Sequence, residues 1–520
     1  METSIKSKVI SHHNFLFPFV FENKKEGFIE GLENGWERFH ENTIDVRTSK
    51  QEELEALRLI FNERNYFYPA ATKSIHDNGK PNSYVLNYRH KAARGGKYVI
   101  EKNKKKYILD IDQIELKVYD SKIAILVYKL DYSGEKEGEA VEAQEHCQDV
   151  LEINEYGRRV YFPFLYKSTG DPSSFNADRI SIIGNGREEL ASEDFESAVK
   201  DILRKQSYIS KTVTGIINTE DIKVIIDDRM FVMSFYRNGG IIKALRLEKN
   251  GDNKKKENYR HYSGEYLEVP EGKDQEGKDK EIPDINFKLD FLYKYIYTDV
   301  GDPTCTDIKK REELINGEHV YTRWIGEGTL YGFSNYSFVT LASESVDEGA
   351  PYLIDHFKTI YCQMLTLVLA QRASLIKFSG KASEISNKIH PSKKIKRKVY
   401  NEIGQLQKGF IRYLNQIYHE EVTAQDQGIE IYRILQKNLY VKEFTDNFER
   451  QMDKLYEHSN LMQERSTNTA LNIIAVASII IAGLQIFSDA SWYNNLFNNL
   501  FGWSCIVCGI GLFIYFIYKK

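Results

Sequence analysis

Two consecutive arginines, followed by aromatic residues and a lysine, form the most chemically suggestive stretch of the chain. Arg158 and Arg159 precede Tyr161 and Lys167, and further aromatic side chains lie between the last two. A guanidinium group binds phosphate oxygens in a planar, bidentate geometry, and an aromatic face stacks on a base such as adenine. The pattern predicts a site for an adenylated nucleotide. The structural alternative is the edge of a strand that carries solvated arginines.

A second candidate, Asp227-Asp228-Arg229, lies at a predicted turn between two apolar strands. A carboxylate there would accept hydrogen bonds from ribose hydroxyls, or neutralise a sulfonium or ammonium group. Asp is also favoured in turns because its side chain bonds the nearby backbone, so simple turn chemistry remains the alternative. Together with the arginine pair, this turn completes the predicted ligand-binding set.

Two further stretches carry weaker signals. Gly184-Asn185-Gly186-Arg187 lies between a predicted strand and a predicted helix at 193–205. Free amides at a helix start attract phosphate, but the full dinucleotide fingerprint is absent. The basic cluster at 393–398 is typical of a solvated helix face, with contact to anionic lipid as the alternative.

No constellation of residues suggests catalysis. The sequence contains no nucleophile elbow, no HExxH motif and no Walker loop, and its 12 histidines are scattered. Cys505 and Cys508 are separated by two residues, but they lie in an apolar stretch and are interpreted as small packing residues. We therefore expect no enzymatic activity, no bound metal and no cofactor other than a regulatory nucleotide.

The elements that must position the ligand-binding residues follow from composition and periodicity. The chain has 520 residues and a net charge of −4, so no general basic surface indicates direct binding of nucleic acid. Residues 1–250 are predicted to form an α+β ligand-sensing domain, with a hairpin around the turn at 119–122. A charged linker follows at 251–283, and residues 284–427 supply the rest of that domain and a helical stem.

Two long stretches without charge dominate the C-terminal end. Residues 466–488 and 490–518 contain no Asp, Glu, Lys or Arg. About 20 apolar residues span a bilayer as a helix, so the cores 470–487 and 500–518 predict a transmembrane hairpin at 470–520. Basic residues flank both ends and are absent from the loop, which predicts a bacterial inner-membrane protein with both termini in the cytoplasm.

An apolar repeat precedes the first predicted span. Ile434, Val441, Phe448, Leu455 and Met462 recur every seven residues, and neither Pro nor Gly occurs at 429–482. The pattern predicts one continuous helix, with its stalk at 428–469, that supercoils with a neighbouring copy. Continued into the membrane, the repeat predicts a pore, and ordinary helix–helix packing is the alternative. The predicted pore-lining residues are Met462, Thr469, Asn472, Val476, Ile479 and Gly483.

This order of parts resembles the CorA-like membrane protein family, in its divergent branch encoded beside type III CRISPR systems. The motifs that carry the resemblance are FLFPF at 15–19, RW at 323–324, YGFSNYS at 331–337 and QRASL at 371–375. The resemblance implies a homopentameric ion channel in antiviral defence. It would be opened by a nucleotide second messenger such as a conjugate of S-adenosylmethionine with AMP.

One departure from the family pattern bears on the function. CorA-like magnesium transporters carry Gly-Met-Asn after the first span, whereas this chain has SDASWYNN at 488–495. The departure argues against magnesium selectivity. An ordinary divalent-cation transporter and a membrane-anchored receptor without a pore remain the alternatives.

Overall fold

The computed structural model describes most of the chain. The described residues are 9–22, 25–32, 35–40, 51–80, 83–134, 146–159, 176–204, 209–227, 229–239, 241–242, 259–260, 266–267, 285–301, 303–343, 352–389, 397–488 and 504. The chain divides into two units. The first comprises 1–377 with 411–445, and the second comprises 378–410 with 446–520.

A mixed sheet of 13 strands organises the first unit. Along the sheet the strand order is β13-β14-β15-β10-β1-β6-β5-β4-β7-β8, with β2 and β3 attached through β5, and β9 attached to β1. A separate two-stranded sheet holds β11 and β12. The strands are β1 (Ser11–Phe21), β2 (Trp36–Arg38), β3 (Val85–His90), β4 (Lys97–Lys102), β5 (Lys105–Tyr119), β6 (Ile123–Tyr132), β7 (Arg179–Ile183), β8 (Glu189–Asp194), β9 (Ile222–Val224), β10 (Phe231–Arg237), β11 (Tyr259–Arg260), β12 (Tyr266–Leu267), β13 (Val320–Tyr321), β14 (Thr329–Phe333) and β15 (Ser337–Ala342).

The described helices cover the sheet or form the second unit. They are α1 (Lys25–Leu32), α2 (Gln51–Tyr66), α3 (Pro69–Ile75), α4 (Cys147–Tyr156), α5 (Phe195–Arg204), α6 (Lys211–Ile217), α7 (Ile285–Tyr297), α8 (Ile308–Leu314), α9 (Tyr352–His356), α10 (Cys362–Asn387), α11 (Arg397–Gln416), α12 (Asp426–Asn438) and α13 (Val441–Ser488). A π-helical turn, Phe357–Tyr361, joins α9 to α10.

The predicted hairpin is confirmed. β5 pairs with β6 in an antiparallel register that places Val118 opposite Ala124. Lys122 in the connecting turn has φ = 59°, a left-handed conformation that a tight turn between twisted strands requires. The apolar residues of both strands are buried, because helices cover both faces of the sheet at this point.

Strand β1 lies in the middle of the sheet although it contains a proline. Pro18 has no backbone N–H, and proline is therefore confined to places where a ladder bond is not needed. The pairing of β1 with β10 ends at Leu16, and its pairing with β9 begins at Phe19. Pro18 thus lies at the junction between two partner strands, where a missing donor costs little.

The sheet continues across the charged linker. β15, from the region after the linker, runs parallel to β10 and extends the sheet that residues 1–250 begin. The turn before β15 and the turn before β10 therefore lie at the same end of the sheet, which brings residues 227–230 close to residues 334–336. This juxtaposition positions the candidate site described below.

The predicted helix at 193–205 is confirmed as α5, but Gly184-Asn185-Gly186-Arg187 does not open it. These residues form the turn between β7 and β8, and Arg187 has φ = 68°. Helix α5 begins later, at Phe195, after β8 has ended. The Gly-Asn-Gly stretch follows the geometry of a β-turn, so its amides do not lie at a helix N-terminus.

The predicted continuous helix from 429 is interrupted. α12 ends at Asn438, Tyr440 has φ = 53°, and α13 begins at Val441. A left-handed residue cannot continue a right-handed helix, so Tyr440 separates two helices that the absence of Pro and Gly had suggested were one.

Phe448 of the seven-residue repeat packs against residues of the same chain. In the second unit, the Phe448 ring packs against Phe378 and Phe410, with ring centroids 5.8 and 4.8 Å away. The Tyr400 hydroxyl donates a hydrogen bond to the Ser459 carbonyl, 2.7 Å away. An intramolecular helical cluster therefore accounts for the buried stripe of α13, and the homopentamer stays a prediction.

The predicted transmembrane hairpin, and with it the fold class that included it, is contradicted by the structure. Among the described residues, no helix combines the length and the apolar character that crossing a bilayer requires. The first predicted span, 470–487, lies on α13, and the second, 500–518, lies outside the described residues except for Ser504. The inner-membrane location rested on this hairpin and is corrected with it.

Candidate anion-binding site

The arginine pair follows directly after a helix C-terminus. α4 ends at Tyr156, and Gly157 is its C-terminal cap. A side chain at Gly157 would place its Cβ 2.5 Å from the Phe15 ring. The Tyr98 hydroxyl donates a hydrogen bond to the Gly157 carbonyl, 2.7 Å away. Close packing and this bond hold the backbone from which the arginines project.

Both arginines are buried, which rules out the alternative of solvated residues at a strand edge. Arg158 is 4% exposed and Arg159 is 5% exposed. Glu155, on the last turn of α4, forms ion pairs with both guanidinium groups, and the Arg159 Nη2 lies 3.3 Å from its Oε1. Cations are also favoured here because carbonyls at a helix C-terminus carry partial negative charge.

Arg158 retains unused hydrogen-bonding capacity. Its Nη2 contacts Glu155, but its Nε and Nη1 are buried and have no hydrogen-bond partner within the described structure. A buried donor without a partner costs roughly 1–3 kcal/mol. An oxyanion bound next to Arg158 would supply acceptors and remove that cost.

The second predicted stretch forms a closed turn. The Asp227 carboxylate accepts hydrogen bonds from the Arg229 backbone N–H, at 3.0 Å, and from Arg229 Nη2, at 2.6 Å. Both oxygens of Asp227 therefore contact Arg229, and recognition of ribose by this turn stays a prediction. Asp228 lies outside the described residues.

Tyr336 connects the two predicted stretches. Arg158 Cζ lies 5.8 Å from the centroid of the Tyr336 ring, and Arg229 Cζ lies 5.5 Å from the same centroid. Both distances fall within the cation–π range of about 6 Å. The two guanidinium carbons are therefore no more than about 11 Å apart, a separation that a phosphate-bearing ligand can bridge. Arg158 and Arg229, distant in sequence, meet at one aromatic ring.

The environment of Tyr336 is defined by burial and by positive charge. Burial raises the pKa of its hydroxyl, although the nearby Arg158 and Arg229 act in the opposite direction. The Tyr336 carbonyl accepts a hydrogen bond from the Val232 backbone, 2.9 Å away, which ties this turn to β10. Sequence reasoning missed Tyr336 as a site residue, although the YGFSNYS motif that contains it had been singled out.

The charges of the cluster favour an anion. Arg158, Arg159 and Arg229 supply three positive charges, and Glu155 and Asp227 supply two negative charges. The balance is one positive charge in a mostly buried setting, where low dielectric strengthens attraction. The cluster is therefore suited to hold a phosphate group.

The other predicted ligand-binding residues, Tyr161 and Lys167, lie outside the described residues. So do Lys393, Lys394 and Lys396 of the basic cluster, whereas Arg397 and Lys398 begin α11. The predicted pore residues all fall on α13: Asn472 and Ile479 are exposed, Val476 is partly buried, and the side chains at 462, 469 and 483 are outside the description.

The adjacent histidines have partners of their own. His12 Nδ1 lies 2.8 Å from Asp131 Oδ1, and His13 Nδ1 lies 2.8 Å from Asn154 Oδ1. Burial lowers the pKa of both rings, so both are neutral near pH 7. In the part of the chain that the structure describes, no group of His, Cys, Asp and Glu side chains is arranged to hold a metal ion.

Comparison with known proteins identifies no relative. No family model, no curated protein and no solved structure matches the chain. The CorA-like resemblance therefore stays a prediction from the four short motifs, and function must be argued from the geometry of the site.

Proposed function

We propose that this protein is a receptor for a phosphate-bearing adenine nucleotide, bound where Arg158 and Arg229 meet Tyr336. The observation that carries the proposal is the buried Arg158 guanidinium, with two N–H groups that have no acceptor in the described structure. A phosphate oxygen is the acceptor that an arginine binds most strongly, in charge-assisted and often bidentate hydrogen bonds.

The ligand class follows from charge and from the aromatic ring. One net positive charge attracts a phosphodiester, and a tyrosine between two guanidinium groups offers a flat, polarisable surface beside it. A conjugate of S-adenosylmethionine with AMP, the messenger that the resemblance implies, belongs to this class. Opening of a channel depended on the transmembrane hairpin and is not carried into the proposal.

The mode of action is that of a sensor in which the Nε and Nη1 donors of Arg158 gain acceptors when the ligand binds. Arg158 borders residues 160–175, which include Tyr161 and Lys167 of the predicted site. A bound phosphate would supply acceptors to the two unpartnered N–H groups of Arg158. A ligand changes a protein only by binding one state better than another, and the orphaned donors of Arg158 supply such a difference.

The decisive experiment measures nucleotide binding by titration calorimetry. AMP, ATP and the S-adenosylmethionine–AMP conjugate serve as probes for the full chain and for Arg158→Ala. Loss of charge-assisted hydrogen bonds worth about 1.5–3 kcal/mol weakens binding roughly 10- to 100-fold. Arg229→Ala should weaken binding as well, because its guanidinium group faces the same ring from the turn before β10.

Two controls separate recognition from folding. Arg412 is exposed on α11, so Arg412→Ala changes the net charge equally and should leave affinity unchanged. Arg158→Lys keeps the charge but loses the planar fork, and should restore only part of the affinity. Undiminished binding in Arg158→Ala, in a protein that melts like the wild type, would refute the site.

A further inference from the structure

A second polar site lies on the opposite face of the central sheet. Consecutive residues of a strand point to opposite faces. On β6, Tyr128 points to the face where its ring contacts Tyr98 and, through Tyr98, the end of α4. Lys129 points to the other face, toward α2 and α10. The cavity described next is therefore separated from Arg158 by the sheet itself.

The cavity has a volume of about 160 Å³ and is lined by ionisable side chains from β3, β5, β6 and α2. It is comparable in size to cavities that hold a benzene molecule, so it is too small for a nucleotide. Its wall contains charged and polar groups that are unusual in a protein interior. The ionisable residues used in the argument are Glu63, His76, Arg89, Glu115, Lys117 and Lys129.

Several polar atoms of the wall are buried without hydrogen-bond partners in the described structure. They include Glu63 Oε1, His76 Nε2, Asn87 Oδ1 and Arg89 Nε. The Glu63 oxygen lies 3.6 Å from His76 Nε2, beyond a normal hydrogen bond. Glu63 is 5% exposed, so bulk water does not replace the missing partner. Buried polar groups without partners call for an explanation, and a small ion bound in the cavity is one.

The positive charge of the wall exceeds the negative charge that is paired with it. Lys129 Nζ lies 2.9 Å from Glu115 Oε1, and Arg89 Nε lies 4.0 Å from the same carboxylate. Lys117 Nζ donates to the Ile75 carbonyl, at 3.0 Å, and to the Gln363 side chain, and both acceptors are uncharged. The hydrogen-bond partners of buried Lys117 in the described structure thus carry no opposite charge. Burial lowers the pKa of Lys117, while the nearby Glu115 and Glu63 act in the opposite direction.

The protonation states add donors to this wall. Burial raises the pKa of Glu63 to about 7, even though Lys117 and Lys129 act against the rise. Burial also lowers the pKa of His76 well below its usual value, with further lowering by Lys117 and Arg64, so its ring is neutral. Protonated Glu63 donates from its carboxyl, and neutral His76 is able to donate from Nε2.

The groups that face Glu63 come from every element packed around it. Lys117 and Glu115 lie on β5, and Lys129 lies on β6. His76 follows α3, Arg64 is the next residue of α2, and Gln363 lies on α10. The same charged residues influence the pKa of the buried Cys362 thiol. Burial raises that pKa, so the thiol adds no negative charge near pH 7.

We propose that this cavity binds a small oxyanion, such as inorganic phosphate or a short carboxylate, and that binding is coupled to proton uptake at Glu63. The anion accepts hydrogen bonds from Arg89 Nε, from His76 and from the protonated Glu63 carboxyl, and its charge is balanced by Lys117. Binding moves one proton from solvent to Glu63 and breaks no covalent bond. The site regulates or stabilises the first unit independently of the nucleotide proposal.

The test is calorimetric titration of the full chain with sulfate and with acetate, which keep a constant charge between pH 6 and 8. Binding that requires protonated Glu63 weakens about tenfold from pH 6 to pH 8, as expected for a carboxyl that titrates near 7. Titration in two buffers of different ionisation enthalpy should show a proton taken up. Glu63→Gln, which donates at every pH, should bind with no pH dependence.

Matched variants make the outcome decisive. Lys117→Met should reduce affinity at least tenfold, whereas Lys106→Met, on an exposed position of the same strand, should not. The titrations are repeated in Arg158→Ala, which removes the first site and leaves the pH-dependent binding in place. Absence of sulfate and acetate binding in the wild type overturns the proposal, as does binding that tightens with pH or that ignores Lys117→Met.

Discussion

Replacement of Glu63 by Gln should stabilise the protein at pH 8 and leave its stability nearly unchanged at pH 4. The folded state raises the pKa of Glu63 to about 7, from 4.5 in an exposed chain, because burial disfavours the charged form. The folded state therefore holds the proton more tightly than the unfolded state. The contribution of Glu63 to stability is therefore fully present below pH 4.5 and is lost as the pH rises through 7.

The magnitude follows from the gap between the two pKa values. At about 1.4 kcal/mol per pKa unit, a gap of that size corresponds to about 3 kcal/mol of lost stability above pH 7. The glutamine side chain of the variant has no charge to bury, and its amide occupies the same space as the carboxyl group of Glu63. We therefore expect Glu63→Gln to be more stable than the wild type by up to about 3 kcal/mol at pH 8.

Urea unfolding followed by tryptophan fluorescence measures this difference, since Trp36 lies in the core of the first unit. With a denaturant slope of about 3 kcal/mol per molar, the unfolding midpoint should rise by roughly 1 M at pH 8 and not at pH 4. Burial also raises the pKa of Glu193 to about 7, but its effect is present in both proteins and cancels in the comparison.

Two outcomes would show that the reasoning is wrong. Equal destabilisation of Glu63→Gln at both pH values would mean that Glu63 is ionised throughout and is held by Lys117 and Lys129. An equal pH-dependent gain in the exposed control Glu30→Gln would mean that the effect is not specific to the cavity.

Two further predictions concern the backbone. Gly157→Ala should destabilise the protein by about 1–3 kcal/mol, because the new Cβ would lie 2.5 Å from the Phe15 ring. Thermal melting measures this loss, and the control Gly27→Ala, at a position with open space around it, should not show it. At the left-handed position between α12 and α13, Tyr440→Gly should melt above Tyr440→Val by an amount equivalent to roughly 1–2 kcal/mol, and equal melting would refute the strain assigned to φ = 53°.

The elements with a clear period were predictable from sequence. The alternation around residues 119–122 predicted the β5–β6 hairpin, and the predicted helix at 193–205 corresponds to α5. Local chemistry was sufficient in these cases, because turn residues and apolar spacing act over a few positions. The same reasoning was wrong at Tyr440, where a single residue with ordinary helix propensity adopts a left-handed conformation.

The candidate site was predictable in part. Arg158, Arg159 and Arg229 were proposed because arginine pairs and charged turns suggest phosphate chemistry. The meeting of Arg158 and Arg229 at Tyr336 depends on the parallel pairing of β10 with β15, across the charged linker. No property of the residues between the two strands specifies that pairing, so the convergence was visible only in three dimensions.

The ionisable cavity shows the clearest separation between local and long-range information. Lys117 and Lys129 each interrupt an apolar strand, a pattern that ordinarily indicates a solvent-facing position. The sequence alone places lysines at positions 117 and 129, and the register of the β5–β6 hairpin puts both on one face of the sheet. The helices α2 and α10, distant in the chain, decided that this face is covered, because burial depends on contacts formed after the chain has collapsed. That covering removes water from Glu63 and turns ordinary surface charges into a buried cluster.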